Sequence, residues 1–152
     1  MEQKDGWHLD VLTTGTEGTG PCLVLSLIKK SRLGGEYKPA LRFVFNPCES
    51  FQRLCKERRV KLSAVDRCFV TSTLPSHIMG LPGLILGLSN IGAASLHVHG
   101  PTGLEHFVKS TNSFVRRKWP ILTVTDVVVP TQQQQQQHGH TNTYQNIVEN
   151  DD

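Results

Sequence analysis

The stretch from Cys68 to Leu86 reads Cys-Phe-Val-Thr-Ser-Thr-Leu-Pro-Ser-His-Ile-Met-Gly-Leu-Pro-Gly-Leu-Ile-Leu, and it decides the fold. Its first four residues are apolar and β-prone, which is typical of a buried strand. The glycines at 80 and 83 interrupt regular secondary structure, and the apolar run from Leu84 onward is typical of a buried helix. Proteins of the α/β class place their functional residues where such a strand ends and leads into a helix. The sequence therefore predicts an α/β fold with a candidate site just after this strand.

The strand closes with Phe-Val-Thr at 69–71, and Gly-Leu-Pro-Gly follows at 80–83. Both segments resemble the metal-binding region of the metallo-β-lactamase superfamily, in the form found in the tRNA 3′-processing endonucleases called ribonuclease Z or tRNase Z. In that family a His-x-His-x-Asp-His cluster lies between the two segments. Its four ligand positions fall here on Ser72, Leu74, Ser76 and His77, so that one ligand of four is retained.

The residues at three of these four positions cannot bind zinc as the family's ligands do. The intact cluster holds zinc ions that activate a water molecule. Leu74 has no ligand atom, and a serine hydroxyl is a poor zinc ligand. Long forms of the family contain two β-lactamase-like halves, and the N-terminal half has lost its metal site. The resemblance thus implies that this chain is part of that half, with no catalytic residue and no cofactor of its own, the zinc being held in the catalytic half.

The family's fold implies a partial metallo-β-lactamase-like αββα architecture, in which a mixed β-sheet has flanking helices. The alternation of apolar residues along the chain changes from a period of two to about 3.6 at several points, which separates strands from helices. The predicted strands lie near Trp7–Leu12, Cys22–Ile28, Leu41–Phe45, Arg67–Thr71, Leu96–His99 and Ile121–Val129. The predicted helices lie near Pro47–Arg58, Leu81–Leu88 and Gly103–Phe114.

Two local patterns predict how the first and last helices begin. Asn46 is the expected N-cap of the first helix, with Pro47 at its first position and Glu49 closing a capping box. The run 102–105, Thr-Gly-Leu-Glu, predicts a second capping box at the last helix.

Composition places the chain among ordinary soluble proteins. It has 152 residues, of which 38% are hydrophobic and 19% charged, as in one globular domain. Residues 1–130 form the predicted, incomplete β-lactamase-like domain. Residues 131–152 are rich in Gln and His and are predicted to be a disordered tail. No apolar run is long enough to span a membrane, so no membrane partner is expected. The charged N-terminus resembles no secretion signal, which favours the nucleus or cytoplasm, with the mitochondrion as an alternative.

Several titratable residues have two interpretations. His77 is interpreted as a helix-start or packing residue rather than a ligand, and the pair His97 and His99 as incidental rather than as a metal site. The four cysteines, with no Cys-x-x-Cys spacing, are interpreted as buried thiols: Cys22, Cys48, Cys55 and Cys68.

Two basic segments remain as candidates for RNA contact. Arg116, Arg117 and Lys118 precede Trp119 and either bind phosphate or form a solvated helix end. The cluster from Lys56 to Lys61 is ambiguous in the same way, and the solvated surface is favoured there.

The leading hypothesis is therefore the N-terminal half of a zinc-dependent tRNA 3′-processing endoribonuclease. Such a half would cover the C-terminal catalytic half and present precursor tRNA for removal of the 3′ trailer. The alternative is an independent, non-catalytic binding module of the same fold, for protein or RNA. A hydrolase with a serine nucleophile is disfavoured, because Ser72 and Ser76 have only His77 as a base and no acid to orient it. About three helices for six strands also predict one sheet face with exposed apolar surface.

Overall fold

The computed structural model of the chain describes residues 5–15, 19–31, 35–113, 118–128 and 141–144. Their core is a mixed sheet of seven strands whose spatial order is the same as their order in the chain. The strands are β1 (Gly6–Thr14), β2 (Pro21–Lys30), β3 (Tyr37–Phe45), β4 (Val65–Phe69), β5 (Ser95–Pro101), β6 (Ile121–Val127) and β7 (Thr141–Tyr144). Strands β3 to β6 are mutually parallel, and the remaining neighbours pair antiparallel.

The helices lie in the connections between the parallel strands. They are α1 (Phe51–Glu57), α2 (Pro75–Ile78), α3 (Leu81–Asn90) and α4 (Leu104–Thr111). Crossovers between parallel strands are right-handed, and here each successive crossover advances the sheet in the same direction. The helices of all three crossovers therefore cover the same face of the sheet.

The alternation of burial along the strands agrees with this placement. One row of paired residues crosses the sheet beneath the helices and is fully buried: Val24, Val44, Cys68, Val98 and Val124. Leu81, Leu84, Ile85 and Leu88 of α3 pack onto the same core. This row and α3 form the hydrophobic core on the helix-covered face.

The opposite face of the sheet, here called the open face, is uncovered by any described element. Trp7, Leu9 and Val11 of β1 lie on it and are 57%, 53% and 43% exposed. Phe43 stacks on Trp7 with ring centroids 6.0 Å apart and meets Phe69 edge-on at 5.9 Å. The open face is therefore apolar and aromatic across its first strands, as the ratio of helices to strands predicts.

The predicted strands and helices are confirmed, with shifted ends. The strand predicted at 67–71 ends at Phe69, and the one predicted at 121–129 ends at Val127, with residue 129 outside the described part. The alternation of Trp7, Leu9 and Val11 with polar residues predicts a strand whose apolar side is buried, and this is wrong: these three side chains are exposed on the open face, whereas Leu12 is buried under the helices. The alternation of residues separates the two faces of a strand, but it does not tell which face the helices cover.

Two elements were not predicted. The short helix α2 carries the retained histidine, and β7 adds antiparallel to the free edge of β6. This strand lies within the segment predicted to be a disordered tail. An open sheet edge offers unpaired N–H and C=O groups, and an extended segment can pair with them whatever its apolar content.

Both predicted capping boxes are wrong. The first helix begins at Phe51 rather than near Pro47, and it is preceded by Ser50 with φ 62°, without a capping side chain. The last helix begins after Gly103, also without a local side-chain cap. Instead, the carboxylate of Asp126 on β6 accepts hydrogen bonds from the amides of Gly103 at 3.0 Å and Glu105 at 3.2 Å. A tertiary contact thus replaces the local cap.

Candidate functional site

The segment after β4 is held by Asn46, at the end of the neighbouring strand. Asn46 has φ 50°, a left-handed conformation that asparagine tolerates better than most residues. Its Oδ1 accepts from the amide of Thr71 at 2.8 Å and from the Thr71 hydroxyl at 3.0 Å. The side chain that the sequence assigned to a helix cap therefore joins the ends of two parallel strands.

Two glycines allow neighbouring backbone to press against the segment that follows. A Cβ on Gly20 would lie 2.0 Å from the carbonyl oxygen of Ser76, and one on Gly80 would lie 2.0 Å from that of Cys48. The amide of Gly80 also donates to the carbonyl of Pro47 at 2.8 Å. Any side chain at either position would push the segment away. Both glycines therefore permit the close backbone contacts around the segment that follows β4.

The side chains in this segment bond to one another. Ser72 Oγ and His77 Nδ1 are hydrogen-bonded at 2.8 Å, and the Leu74 amide donates to Ser72 Oγ at 3.3 Å. Leu74 itself is 59% exposed, and Ser76 is exposed as well. Of the four motif positions, two thus form a local serine–histidine contact, and two face solvent.

This donor set does not fit a metal ion of the kind the family holds. It contains one imidazole, whose Nδ1 is engaged by a hydroxyl, and no carboxylate or thiolate. Among the described residues, no three His, Cys, Asp or Glu side chains lie close enough together to hold a metal. A nucleophilic Ser72 also lacks an orienting acid, since no ion pair joins His77 to a carboxylate in this part of the chain.

The two histidines of β5, His97 and His99, both lie on the open face. His99 stacks on Phe69 with centroids 5.1 Å apart, and its Nε2 is 3.4 Å from the Arg67 guanidinium. Burial, the Arg67 charge and His97 lower the pKa of His99, which favours its neutral form. The pair shares a face, as its spacing predicts, but its contacts are with an arginine and an aromatic ring.

The cysteines are all free and buried, as predicted. Burial raises the pKa of Cys55 to about 12 and raises those of Cys22, Cys48 and Cys68 as well. A thiol in such surroundings stays protonated and unreactive at neutral pH.

Of the two basic segments, the structure describes the one from Lys56 to Lys61 in full and only Lys118 of the other. Arg116 and Arg117 lie outside the described residues, and Lys118 is exposed, beyond the end of α4 at Thr111. The other segment borders a surface cavity of about 720 Å³ between the C-terminal ends of α1 and α3. The cavity is lined by Cys55, Lys56, Arg59, Val60, Lys61, Leu62, Ser63 and Ile91. The sequence marked this cluster as basic but did not indicate the cavity.

No helix in the described part is long and apolar enough to cross a membrane. No family model matches the chain.

Comparison with curated proteins identifies homologues that are named tRNase Z, ribonuclease Z or zinc phosphodiesterase. The chain is 36% identical to the mitochondrial tRNase Z TRZ4 of Arabidopsis thaliana over 114 residues, which are 72% of this chain and 11% of that protein. It is 30% identical to the mitochondrial ribonuclease Z of Drosophila melanogaster over 108 residues, 71% of this chain and 13% of that one. The human zinc phosphodiesterase ELAC protein 2 is 28% identical over 107 residues, 70% of this chain and 12% of the relative.

The fold has a counterpart among solved structures. The crystal structure of the short form of human tRNase Z, ELAC1, superposes with a TM-score of 0.60 at 21% identity, over 82% of this chain and 46% of that one. This likeness concerns the architecture, and it agrees with the α/β fold of mixed sheet and flanking helices. The chain spans about a tenth of the length of the curated relatives above.

Proposed function

Because the homologues of this chain are tRNase Z proteins, we propose that it is part of the N-terminal, non-catalytic half of a long-form tRNase Z. In this role the chain is a scaffold. It covers the C-terminal catalytic half, which holds the zinc, and helps to present precursor tRNA for cleavage of the 3′ trailer. The names of two relatives include the mitochondrion, so we propose that organelle as a site of action beside the nucleus and cytoplasm.

One observation supports this proposal: the segment that resembles the family's metal-binding region has close backbone contacts at two glycines, while Ser72, Leu74 and Ser76 stand at three of its four ligand positions. Gly20 and Gly80 still allow the close backbone approach. Within the segment, Ser72 bonds to His77, and Leu74 faces solvent. Water activation by zinc therefore has to come from elsewhere, which supports a role for this chain beside a catalytic partner.

The test is a reconstitution of 3′-end cleavage. The chain alone, the catalytic half alone and the two together are incubated with a labelled precursor tRNA. We expect no cleavage by the chain alone, weak cleavage by the catalytic half, and recovery when both are present. Chelator-sensitive cleavage by the chain alone contradicts the proposal, as does a catalytic half whose rate is unaffected by the chain.

Metal analysis of the purified chain gives an independent check. We expect less than stoichiometric zinc and no difference between the wild type and His77→Ala. One or two tightly held zinc ions that are lost in His77→Ala would show that the replaced positions do not abolish the site.

Contact with precursor tRNA is proposed for Arg116, Arg117 and Lys118. Substitution of all three by Ala should weaken tRNA binding more than turnover, because such contacts are mainly electrostatic and position the backbone. If the triple variant binds tRNA and supports cleavage like the wild type, these three side chains do not contact the substrate.

A further inference from the structure

A second group of cations, distant in sequence from those three, surrounds the cavity at the end of α1. The segment 51–69 contains six Lys and Arg against two Asp and Glu, a net charge of +4 beside the +3 of the whole chain. Lys56, Arg59 and Lys61, which line the cavity, are exposed, and in the described part of the chain none of the three forms an ion pair. We call these three residues the basic rim.

The simplest account of cations at a helix C-terminus is that they compensate its partial negative charge. Here the carbonyls of Cys55 and Lys56 already have backbone partners. The amide of Arg59 donates to the carbonyl of Lys56 at 3.1 Å, and that of Val60 to Cys55 at 2.8 Å, which is the Schellman pattern. The carbonyls of the next loop, at Lys61 and Ser63, accept from the guanidinium of Arg42. These carbonyls therefore do not need the rim side chains as hydrogen-bond donors.

Arg59 occupies a position that normally favours glycine. It is the residue after the helix cap and has φ 56°, a left-handed conformation that costs a side-chain-bearing residue free energy. A residue held in such a conformation at the mouth of a cavity is a candidate functional residue. Arg42 adds a further positive charge behind the loop, and this one is buried, with the residue only 8% exposed.

The cavity floor has the opposite character from its rim. Val60, Leu62 and Cys55 are aliphatic or thiol side chains that are buried or half-buried, and Ile91 is 54% exposed at the edge. The volume of about 720 Å³ is that of an open ligand pocket rather than a packing defect. The ligand that fits this arrangement has an anionic part for the rim and an apolar group for the cavity floor.

We propose that the basic rim and this cavity bind a segment of single-stranded RNA, with phosphates on the rim and one unpaired base in the cavity. Phosphate contacts by Lys and Arg provide affinity without sequence preference, and a base can be held against apolar side chains once it leaves the stack. Duplex RNA offers the same charge but hides its base faces, which disfavours it here. The choice of RNA over another polyanion rests on the proposed function.

The first test is a salt titration of binding by the full chain to a labelled single-stranded oligoribonucleotide. Lys56→Gln/Arg59→Gln/Lys61→Gln removes three charges from the rim, and Lys29→Gln/Lys30→Gln/Lys38→Gln removes three exposed charges from the β2–β3 hairpin as the matched control. Each lost phosphate contact lowers the slope of log K against log salt by about 0.7, so the rim variant should lower it by about 2. The control should leave the slope within error of the wild type.

The second test separates a base in the cavity from charge alone. Ile91→Ser changes an exposed cavity residue, so the fold should remain intact. It should weaken binding of the oligoribonucleotide by about fivefold and leave unchanged the binding of an abasic oligomer of equal length. Equal loss for both oligomers, equal slopes for rim and control variants, or competition by polyglutamate as strong as by RNA would overturn the proposal. If the rim variant binds RNA normally and still restores cleavage together with the catalytic half, the RNA site at the rim is refuted, whereas the proposed function is not.

Discussion

Asn46 shows how one residue can satisfy a sequence pattern and serve another purpose. The run from Asn46 to Glu49 matches a helix start, but the side chain bonds to Thr71 across the sheet. Its φ of 50° turns the chain away from the helical path, so that the helix begins five residues later. Sequence alone could not distinguish the two roles, because the partner lies 25 positions away.

Substitution of Asn46 separates its two contributions. Asn46→Gly keeps the left-handed backbone and removes the acceptor, which should cost about 1.5 kcal/mol of unfolding free energy. Asn46→Ala removes both and should cost about 1 kcal/mol more. Urea unfolding followed by circular dichroism measures the difference. Equal losses in the two variants would show that backbone conformation is not a factor at this position.

The buried cysteines give a prediction about reactivity. At pH 8 the thiolate fraction of Cys55, with its pKa near 12, is about one in ten thousand. A thiol reagent should therefore modify none of the four cysteines in the native chain within minutes, and all four in guanidinium. Thr102→Cys, at an exposed position, supplies the reactive control. Rapid native modification of any original thiol would mean that its region opens readily.

At the scale of elements, periodicity predicts where strands and helices lie but not how they end. The apolar residues of α3 repeat at helical spacing, and the helix is found there with Leu81, Leu84 and Leu88 buried. The start of α4 depends instead on Asp126, which lies more than 20 residues downstream. The residues around the start of α4 do not indicate a cap that comes from another strand, so the local sequence pattern could not predict it.

The Asp126 cap can be tested against a surface carboxylate. Asp126→Ala should lower the free energy of unfolding by about 1 kcal/mol, since it removes an acceptor for two amides at a helix N-terminus. Asp66→Asn, which removes an exposed ion pair with Arg67, is the control and should change it by less than about 0.5 kcal/mol. Equal effects would mean that α4 is held by packing alone.

At the scale of the molecule, the open face is an apolar sheet surface that no described element covers. Leu9 pairs with Leu25 and Leu25 with Phe43, so that apolar side chains adjoin across three strands. An α/β sheet needs layers on both faces to remove such surface from water. Sequence reasoning predicted the excess of strands over helices but not which side chains would be left uncovered, because β2 is apolar on both sides.

The chain expressed alone should therefore self-associate. Sedimentation or light scattering of the wild type should show oligomers at micromolar concentrations, and Leu9→Ser/Leu25→Ser should raise the monomer fraction. Leu86→Ser, an exposed apolar position on α3, serves as the control and should have no such effect. A monodisperse wild-type monomer that unfolds cooperatively would contradict the view that this face requires a partner.

The identical order of strands in space and in the chain has a consequence for biosynthesis. A polypeptide leaves the ribosome N-terminus first, and domains fold as their segments emerge. Because each strand pairs with the one made just before it, the sheet can grow by addition at a single advancing edge. Among the described strands, each one after β1 finds its first partner already translated, and no pairing between them has to open to admit a later strand.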